Sequence, residues 1–268
     1  MNLRILDSGT RSEVIVRRPP GGLFRMCLRL PERSPAGADG LRVLLVADAI
    51  RRVLEEIYGI QVQTAAAIET ASNGWERALD ALWIPPPIRA KSIDDAAQLL
   101  GGPADAVLES GHESSPRGQW SCGLHLPLRL WIGPVLTDFG HGTPDFVAAL
   151  TDDGHDPLAL RLALLRERYD QPLPLTRTRL DRADVVLDRW RRLVAEWADH
   201  PSAPMPAHVV ERAYVALDEH LDIGALVEIL QALADDATVR PGAKFETFVH
   251  FDRILALELV RYLTHPPA

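Results

Sequence analysis

Two cysteines and the histidines near them are the residues in this sequence best suited to bind a metal. The 268-residue chain contains two cysteines, Cys27 and Cys122, and His125 follows Cys122 three positions later. His112 and Glu113 lie a short distance upstream. Zn²⁺ prefers thiolate and imidazole ligands, so Cys27, Cys122 and His125 are of the residue types that could bind it. In the alternative interpretation, each cysteine is a small buried hydrophobic residue on a strand.

A glycine-containing segment precedes one of the predicted helices. It consists of Gly140, His141, Gly142 and Thr143, and Pro144 follows as the first helical residue. A threonine N-cap followed by proline is a helix start signal. The free N–H groups at such a start can hold a phosphate or a carboxylate. The segment therefore predicts either a ligand-binding turn or a flexible turn that only caps the helix.

Positive charge in this chain is almost entirely arginine. Of the 29 basic residues, only Lys91 and Lys244 are lysines. Arginines that could contact tRNA phosphates or a protein partner fall on one side of a predicted helix: Arg179, Arg182, Arg189 and Arg192. Aspartates alternate with them, so a solvated, ion-paired face is the other interpretation. The net charge of −8 argues against general DNA binding.

The overall composition is that of a folded globular protein. Hydrophobic residues make up 47% and charged residues 25% of the chain. No apolar run approaches the roughly 18 residues that a membrane span requires, and the first residues lack an export signal. We therefore expect a cytoplasmic protein with reduced cysteines and no membrane association.

The first half of the chain predicts a sheet with helices. Two short strands over 12–16 and 24–30 surround a turn, a helix covers about 40–58, and a strand restarts at Ile60. Strand, helix and strand within about forty residues indicate a βαβ unit with parallel strands. Other predicted elements are a helix that Ser92 caps, an exposed loop over 110–118, and strands over 119–124 and 128–132.

The second half of the chain predicts helices only. Their approximate ranges are 143–150, 156–169, 177–199, 206–221, 223–235 and 244–263. The helix over 177–199 carries an apolar seam formed by Leu180, Ala183, Leu187, Trp190, Val194 and Trp197. Trp190 and Trp197 are predicted either to lie in the core or to bind a partner. We place a sheet domain over 1–142 and a helical domain over 143–268.

Several segments resemble the cysteine-activating ligases of class I. DPLALRLALLRERYDQPLPLTRTRLDRADVVLDRWR, Asp156 to Arg191, is similar to the segment linking the two domains of cysteinyl-tRNA synthetases, and more similar still to that of the mycothiol-pathway cysteine ligase. Weaker resemblances follow in family order: Val46 to Gln63, Ile84 to Leu100, Ala213 to Leu230 and Phe251 to Leu263. The resemblance implies an α/β fold, namely a class I aminoacyl-tRNA synthetase-like Rossmann domain of nucleotidyl-transferase type, followed by a C-terminal α-helical bundle.

The resemblance also implies a chemistry: family members form an aminoacyl adenylate from ATP and cysteine. Histidines of a HIGH-type loop and a lysine of a KMSKS-type loop stabilise charge on the phosphates. Zinc, held by Cys, Cys, His and Glu, selects the thiol. Cys27 and Cys122 fall close to the two zinc cysteines of the family, so the resemblance implies a candidate zinc site that Cys27, Cys122 and His125 would form.

The residues of both catalytic loops are missing from this sequence. The first loop should lie between the strand ending near Leu30 and the helix from about 40, yet no histidine occurs before His112. The second loop should precede Asp156, yet no lysine or arginine occurs from Leu130 to Leu160. Arg33 and Arg42 are the nearest cations to the first loop, and we expect both to be surface charges.

We therefore interpret the chain as a shortened, degenerate paralogue with no catalytic residues, used to bind a partner, a metabolite or tRNA. Zinc and ATP are the cofactors that it could still bind. One alternative is an active but altered ATP-dependent ligase or nucleotidyl-transferase in thiol or secondary metabolism. Another is an interaction subunit that joins a second enzyme through its helices.

Overall fold

The computed structural model describes residues 3–31, 34–68, 73–110, 127–139 and 145–264. The strands are β1 Arg4–Asp7, β2 Ser12–Ile15, β3 Leu23–Arg29, β4 Gln61–Ala67, β5 Ile88–Ala90, β6 Ala106–Ser110, β7 Leu128–Ile132, β8 Val135–Thr137 and β9 Leu173–Leu175. The helices are α1 Ala38–Glu56, α2 Asn73–Ala81, α3 Ile93–Leu99, α4 Phe146–Asp152, α5 Pro157–Leu165, α6 Arg177–Ala198, α7 Ala207–Asp218, α8 Ile223–Asp235, α9 Pro241–Leu255 and α10 Arg261–Thr264.

Five parallel strands in the order β5-β4-β3-β6-β7 form the central sheet. Strand β3 lies in the middle, where Cys27 is opposite Ala65 of β4 and Val107 of β6. The predicted parallel pairing of the segments near 24–30 and 60–66 is therefore confirmed. With the helical C-terminal region, this sheet confirms the predicted α/β fold class.

The first predicted strand pairs with a strand that the sequence analysis missed. Both strands that the sequence predicted around a turn are present as β2 and β3, and β2 pairs antiparallel with β1. Strand β3 belongs to the central sheet instead. β1 escaped detection because it contains only four residues, RILD, of which one side chain is buried.

Helix α1 and helix α3 pack against opposite faces of the sheet. Helix α1 is buried along most of its length and joins the main apolar core together with Met26 and Leu28 of β3. On the other face, Cys27 forms a smaller apolar cluster with Ala65, Ile93 and residues near them. This alternation along β3 is the period-two pattern of a strand buried on both faces.

The sequence predicted helices only for the second half of the chain, and this prediction is wrong. β9 lies inside it and pairs parallel with β8. Pro172 and Pro174 disfavour a continuing helix, and Leu173 and Leu175 alternate as buried residues around the exposed Pro174. Helix α5 ends at Leu165 and not near Tyr169. The division into domains at residue 142 stays a prediction.

Helix boundaries elsewhere follow the caps. Asp145, and not Thr143, is the N-cap of α4, where its carboxylate accepts from the N–H of Ala148. The predicted caps Ser92 and Asp156 do cap α3 and α5. The last predicted helix is interrupted because α9 ends before Ala256, whose φ is 51°.

The predicted apolar seam of α6 is buried in the core. Trp190 is fully buried and Trp197 is 5% exposed. Both indole rings meet the ring of Phe248 edge-on, with centroids 5.2 Å apart. The core interpretation of the two tryptophans is therefore confirmed. Among the described residues, no helix is both long enough and apolar enough to cross a lipid bilayer.

Candidate functional site

The carboxyl edge of the central sheet is the place where an open α/β sheet binds its ligands. Strands β4 and β5 follow β3 on one side, whereas β6 and β7 lie on its other side. The strand order thus reverses between β3 and β6, and the crevice outside such a switch point is the usual binding position. The candidate site therefore lies where β3 leads into α1 and where β6 ends.

An ion pair occupies this switch point. Arg29 is the last residue of β3, and its Nη1 lies 3.7 Å from Oε2 of Glu109 near the end of β6. The side chains are 48% and 30% exposed, respectively. Both charged groups are therefore accessible to an incoming ligand, and a partly exposed ion pair of this kind contributes little to stability.

The loop between β3 and α1 is tightly folded and anchored. Gly40 passes so close to Pro35 that a Cβ atom at this position would lie 2.1 Å from the Pro35 carbonyl oxygen. Asp39, in the first turn of α1, accepts a hydrogen bond from the Val135 N–H at 2.7 Å. Gly37, the N-cap of α1, has no side chain that could cap the helix. Arg33 lies outside the described residues.

The sequence predicted that Arg42 is a surface charge, but its side chain is fully buried. Its Nη1 donates to the carbonyl oxygens of Gly133 and Gln171, both at 2.7 Å. Its Nη2 donates to the carbonyl oxygens of Arg168 at 2.8 Å and Glu167 at 3.4 Å. The guanidinium thus joins the start of α1 to the turns after β7 and α5.

Burial lowers the pKa of Arg42 to about 10, although the nearby carboxylates of Glu167, Asp39 and Asp170 raise it in part. The side chain remains charged at neutral pH. Its Nε is buried and has no hydrogen-bond partner among the described residues. To reach a phosphate at the sheet edge, Arg42 would have to give up its carbonyl partners. The sequence could not reveal this, since its position beside Asp39 and Gly40 also suits the exposed start of a helix.

A second buried arginine, Arg161 of α5, was not recognised in the sequence. Its Nη2 lies 2.6 Å from the Asp48 carboxylate of α1. Its other nitrogens donate to the carbonyl oxygens of Leu82 at 2.8 Å and Leu255 at 2.6 Å. Arg161 and Asp48 are 0% and 1% exposed at their side chains. Their position inside α1 and α5, away from the strand ends, makes them structural groups.

The predicted zinc residues are only partly within the described structure. Cys27 is fully buried among apolar residues on the α3 face of the sheet. Cys122 and His125 lie outside the described residues, as do His112 and Glu113. Within the described part of the chain, no three or more His, Cys, Asp or Glu residues are grouped so that they could hold a metal. The zinc site therefore stays a prediction.

The predicted ligand-binding turn, Gly140, His141, Gly142 and Thr143, also lies outside the described residues. Its neighbours show only that α4 begins after Asp145 and that Thr137 hydrogen-bonds to Phe139 just upstream. The turn stays a prediction as well.

Most of the predicted contact arginines of α6 are ion-paired. The partners are Glu167 for Arg179 at 3.5 Å, Asp235 for Arg189 at 2.5 Å and Asp188 for Arg192 at 2.9 Å. Arg182 is exposed. The geometry is that of the solvated, ion-paired face, and contact with tRNA or a partner stays a prediction.

Together, the parallel sheet, its crossover helix α1 and the helical C-terminal region form a class I synthetase-like α/β fold. No protein-family model matches the chain. The chain is similar to the L-cysteine:1D-myo-inositol 2-amino-2-deoxy-alpha-D-glucopyranoside ligase of Nocardiopsis dassonvillei, with 37% identity over 159 residues. That match covers 56% of this chain and 38% of the ligase.

Two further relatives are of the same kind. The corresponding ligase of Thermomonospora curvata is 32% identical over 176 residues, which is 61% of this chain and 42% of the ligase. The cysteine–tRNA ligase of Rhodospirillum centenum is 35% identical over 85 residues, or 31% of this chain and 19% of the ligase. The chain's homologues are thus class I cysteine ligases, as its sequence suggested. The chain spans about two fifths of the length of the first two relatives.

Proposed function

We propose that this chain is a non-catalytic relative of the class I cysteine ligases that binds a ligand or a partner without activating cysteine. The main support is the structural use of Arg42. It is the first basic residue of α1, and four backbone carbonyls hold its guanidinium inside the protein. The loop before α1 contains no histidine. Charge developing on ATP phosphates would therefore meet few pre-organised donors there.

Titration of the purified chain with ATP, cysteine and a non-hydrolysable cysteinyl-adenylate analogue tests this proposal. We expect at least one of these ligands, or tRNA, to bind without product formation. Turnover of ATP in the presence of cysteine would contradict the non-catalytic role. If neither the small ligands nor tRNA bind, the ligand-binding role fails and the helical region remains as the surface for a protein partner.

An altered ligase is the second candidate, because two exposed cations do lie at the carboxyl edge of the sheet. Arg29 ends β3, and Lys91 directly follows β5. The only other lysine, Lys244, is buried, and its Nζ donates to the Ala234 carbonyl. If adenylate formation occurs, Arg29→Ala or Lys91→Ala should abolish it, whereas Arg89→Ala, which removes a neighbouring exposed charge, should not.

We further propose that the chain binds zinc at well under one equivalent. Cys27 lies in an apolar cluster, and a tetrahedral shell of protein ligands would need Cys122, His125 and a fourth group to reach it. Elemental analysis of protein purified with zinc in the medium measures the stoichiometry. A value near one that disappears in both Cys27→Ser and Cys122→Ser would contradict this expectation.

A further inference from the structure

The outer edge of β4 is left open along the first half of the strand. Strand β5 begins with Ile88, which lies opposite Ala65 of β4. The three residues before Ile88, 85–87, are all prolines and are not part of β5. Residues 61–64 of β4 therefore have no strand beside them on this side. They form the amino half of β4, at the opposite end of the strand from the carboxyl edge of the sheet.

The direction of the backbone groups at this open edge follows from their neighbours. In a sheet, the N–H and C=O of one residue point to the same side of the strand, and those of the next residue point to the other side. The N–H of Val62 donates to Oε1 of Glu55, and the N–H of Ile68 donates to the carbonyl of Ala90 in β5. Both point away from β3. Thr64 lies two residues after Val62, so its N–H points to this outer side as well.

Two outward backbone groups of β4 lack the partners that a longer β5 would supply. In a continued parallel ladder, residue 86 would donate its N–H to the Val62 carbonyl and accept from the Thr64 N–H. Pro86 has no N–H to donate. Within the described structure, no hydrogen bond joins the Thr64 N–H to the Pro86 carbonyl. The edge thus offers one acceptor and one donor at the spacing of a single extended peptide residue.

A cavity of about 220 Å³ adjoins this edge on the α1 face of the sheet. Val62 and Thr64 line it on the β4 side. The rest of its wall is mostly apolar and comes from β3, α1 and the segment before β5, including Leu28, Leu44, Ala47, Ile84 and the three prolines. A concave, mainly apolar site with a few polar groups is typical of small-molecule sites.

The charged groups of the wall are paired with each other. Asp48 and Arg51 are the charged residues of the lining, and they form an ion pair at 2.7 Å. Arg51 also pairs with Glu55 at 2.5 Å, and Asp48 with Arg52 and Arg161, which are not part of the wall. An ion entering the cavity would lose its hydration without meeting an unpaired counter-charge. The wall therefore favours a neutral ligand.

We propose that the open edge of β4 and this cavity bind a small neutral molecule that resembles one acylated peptide residue. Its N–H donates to the Val62 carbonyl, its C=O accepts from the Thr64 N–H, and its short hydrocarbon chain lies against the apolar wall. The ligand occupies the position in the ladder that Pro86 leaves open, as an added strand does in peptide recognition. The volume restricts it to one residue and a few further carbon atoms. Because the site is at the amino half of β4, its occupation is independent of cysteine activation at the carboxyl edge.

Titration of the full chain with N-(3-methylbutanoyl)glycinamide tests this site, with the amide proton NMR signal of Thr64 as the readout. We expect saturable binding and a downfield shift of this signal, as a new hydrogen bond produces. The ester analogue, in which oxygen replaces the N–H between the acyl group and glycine, should bind about tenfold more weakly, because it leaves the Val62 carbonyl unpaired. The free acid, which adds a negative charge, should also bind more weakly. Equal affinity of the amide and either analogue would overturn the proposal, as would an unshifted Thr64 signal up to the solubility limit.

Variants of the prolines and of the wall separate the open edge from other binding surfaces. Pro86→Ala supplies an N–H that competes with the ligand for the Val62 carbonyl, and it should weaken binding several-fold. Pro87→Ala is the matched control, because an N–H at that position points away from β4 and should leave binding unchanged. Ala47→Leu fills the cavity without altering the edge and should abolish binding. Equal affinities of the two proline variants, or unchanged binding in Ala47→Leu, would place the ligand elsewhere and overturn the proposal.

Discussion

Two fully buried arginines join the sheet to the helices in this chain, and they are balanced in different ways. Arg161 has a carboxylate partner, Asp48, at 2.6 Å. Arg42 has backbone carbonyl oxygens as its hydrogen-bond partners. Both lie in or against α1, one near its start and the other near its middle. The chain therefore uses a cation structurally even beside the loop between β3 and α1, where its resemblance to the class I ligases would place catalytic residues.

The difference in balance has a physical consequence. Burial alone would raise the pKa of Asp48, but Arg161, Arg52 and Arg51 outweigh it and keep the pKa low. This region is held together by full charges. Around Arg42, carbonyl dipoles supply the hydrogen bonds. The nearby carboxylates of Glu167, Asp39 and Asp170 are partly exposed, so loss of the arginine leaves no fully buried charge behind. The two regions should respond very differently to removal of one partner.

The largest effect is expected from Asp48→Asn. This change leaves Arg161 buried without its counter-charge, and breaking a buried pair in this way costs about 3–5 kcal/mol. Chemical denaturation gives the change in the free energy of unfolding. Glu109→Gln is the matched control, because it makes the same chemical change in a partly exposed pair at the sheet edge. There we expect less than about 1 kcal/mol; similar losses in both variants would contradict the account.

A smaller effect is expected from Arg42→Met. The four carbonyl oxygens lose charged donors, but the cost of burying the charge is also removed, so the loss should be about 2 kcal/mol. Arg42→Lys should not restore stability, since one ammonium cannot span the carbonyls of Gly133 and Arg168 as a guanidinium does. The same denaturation curves measure both. If Arg42→Met leaves the free energy of unfolding unchanged, the hydrogen bonds from Arg42 to the four carbonyl oxygens contribute no net stability.

These two regions also show how far the sequence could be interpreted. The parallel βαβ unit and the apolar seam of α6 follow from periodicity, which depends on burial alone. The role of Arg42 could not be predicted, because its partners are backbone carbonyls more than ninety residues away in the chain. β9 was missed for a similar reason: three residues pair with β8 only because the fold brings them together.

Tyr169 makes the stability of the region around Arg42 depend on pH. It lies in the turn that supplies carbonyls to Arg42, and its hydroxyl oxygen accepts from the N–H of Leu6 at 3.0 Å. Burial raises its pKa to about 12. Because the folded pKa exceeds the unfolded value near 10, this contribution is fully present below pH 10 and is lost as the pH rises towards 12.

The shift corresponds to roughly 2–3 kcal/mol over that whole window. Unfolding free energies of wild type and Tyr169→Phe, measured from pH 9 upward, test it. We expect the wild type to be more stable than the variant at pH 9 and to lose this extra stability as the pH rises. The lowered pKa of Arg42 makes stability rise with pH, but it does so equally in both proteins and cancels in the difference. A difference that does not change with pH would exclude a titrating Tyr169.

Cysteine-dependent exchange of labelled pyrophosphate into ATP tests the central claim most directly. One pre-organised donor of developing charge is worth about 10²–10³-fold in rate. With no histidine in the first loop and Arg42 held inside the protein, the combined loss should be about four orders of magnitude or more, allowing for non-additivity. The account predicts exchange indistinguishable from a control without protein. Exchange clearly above that control, and abolished by Arg29→Ala or Lys91→Ala, would contradict it and identify an altered ligase.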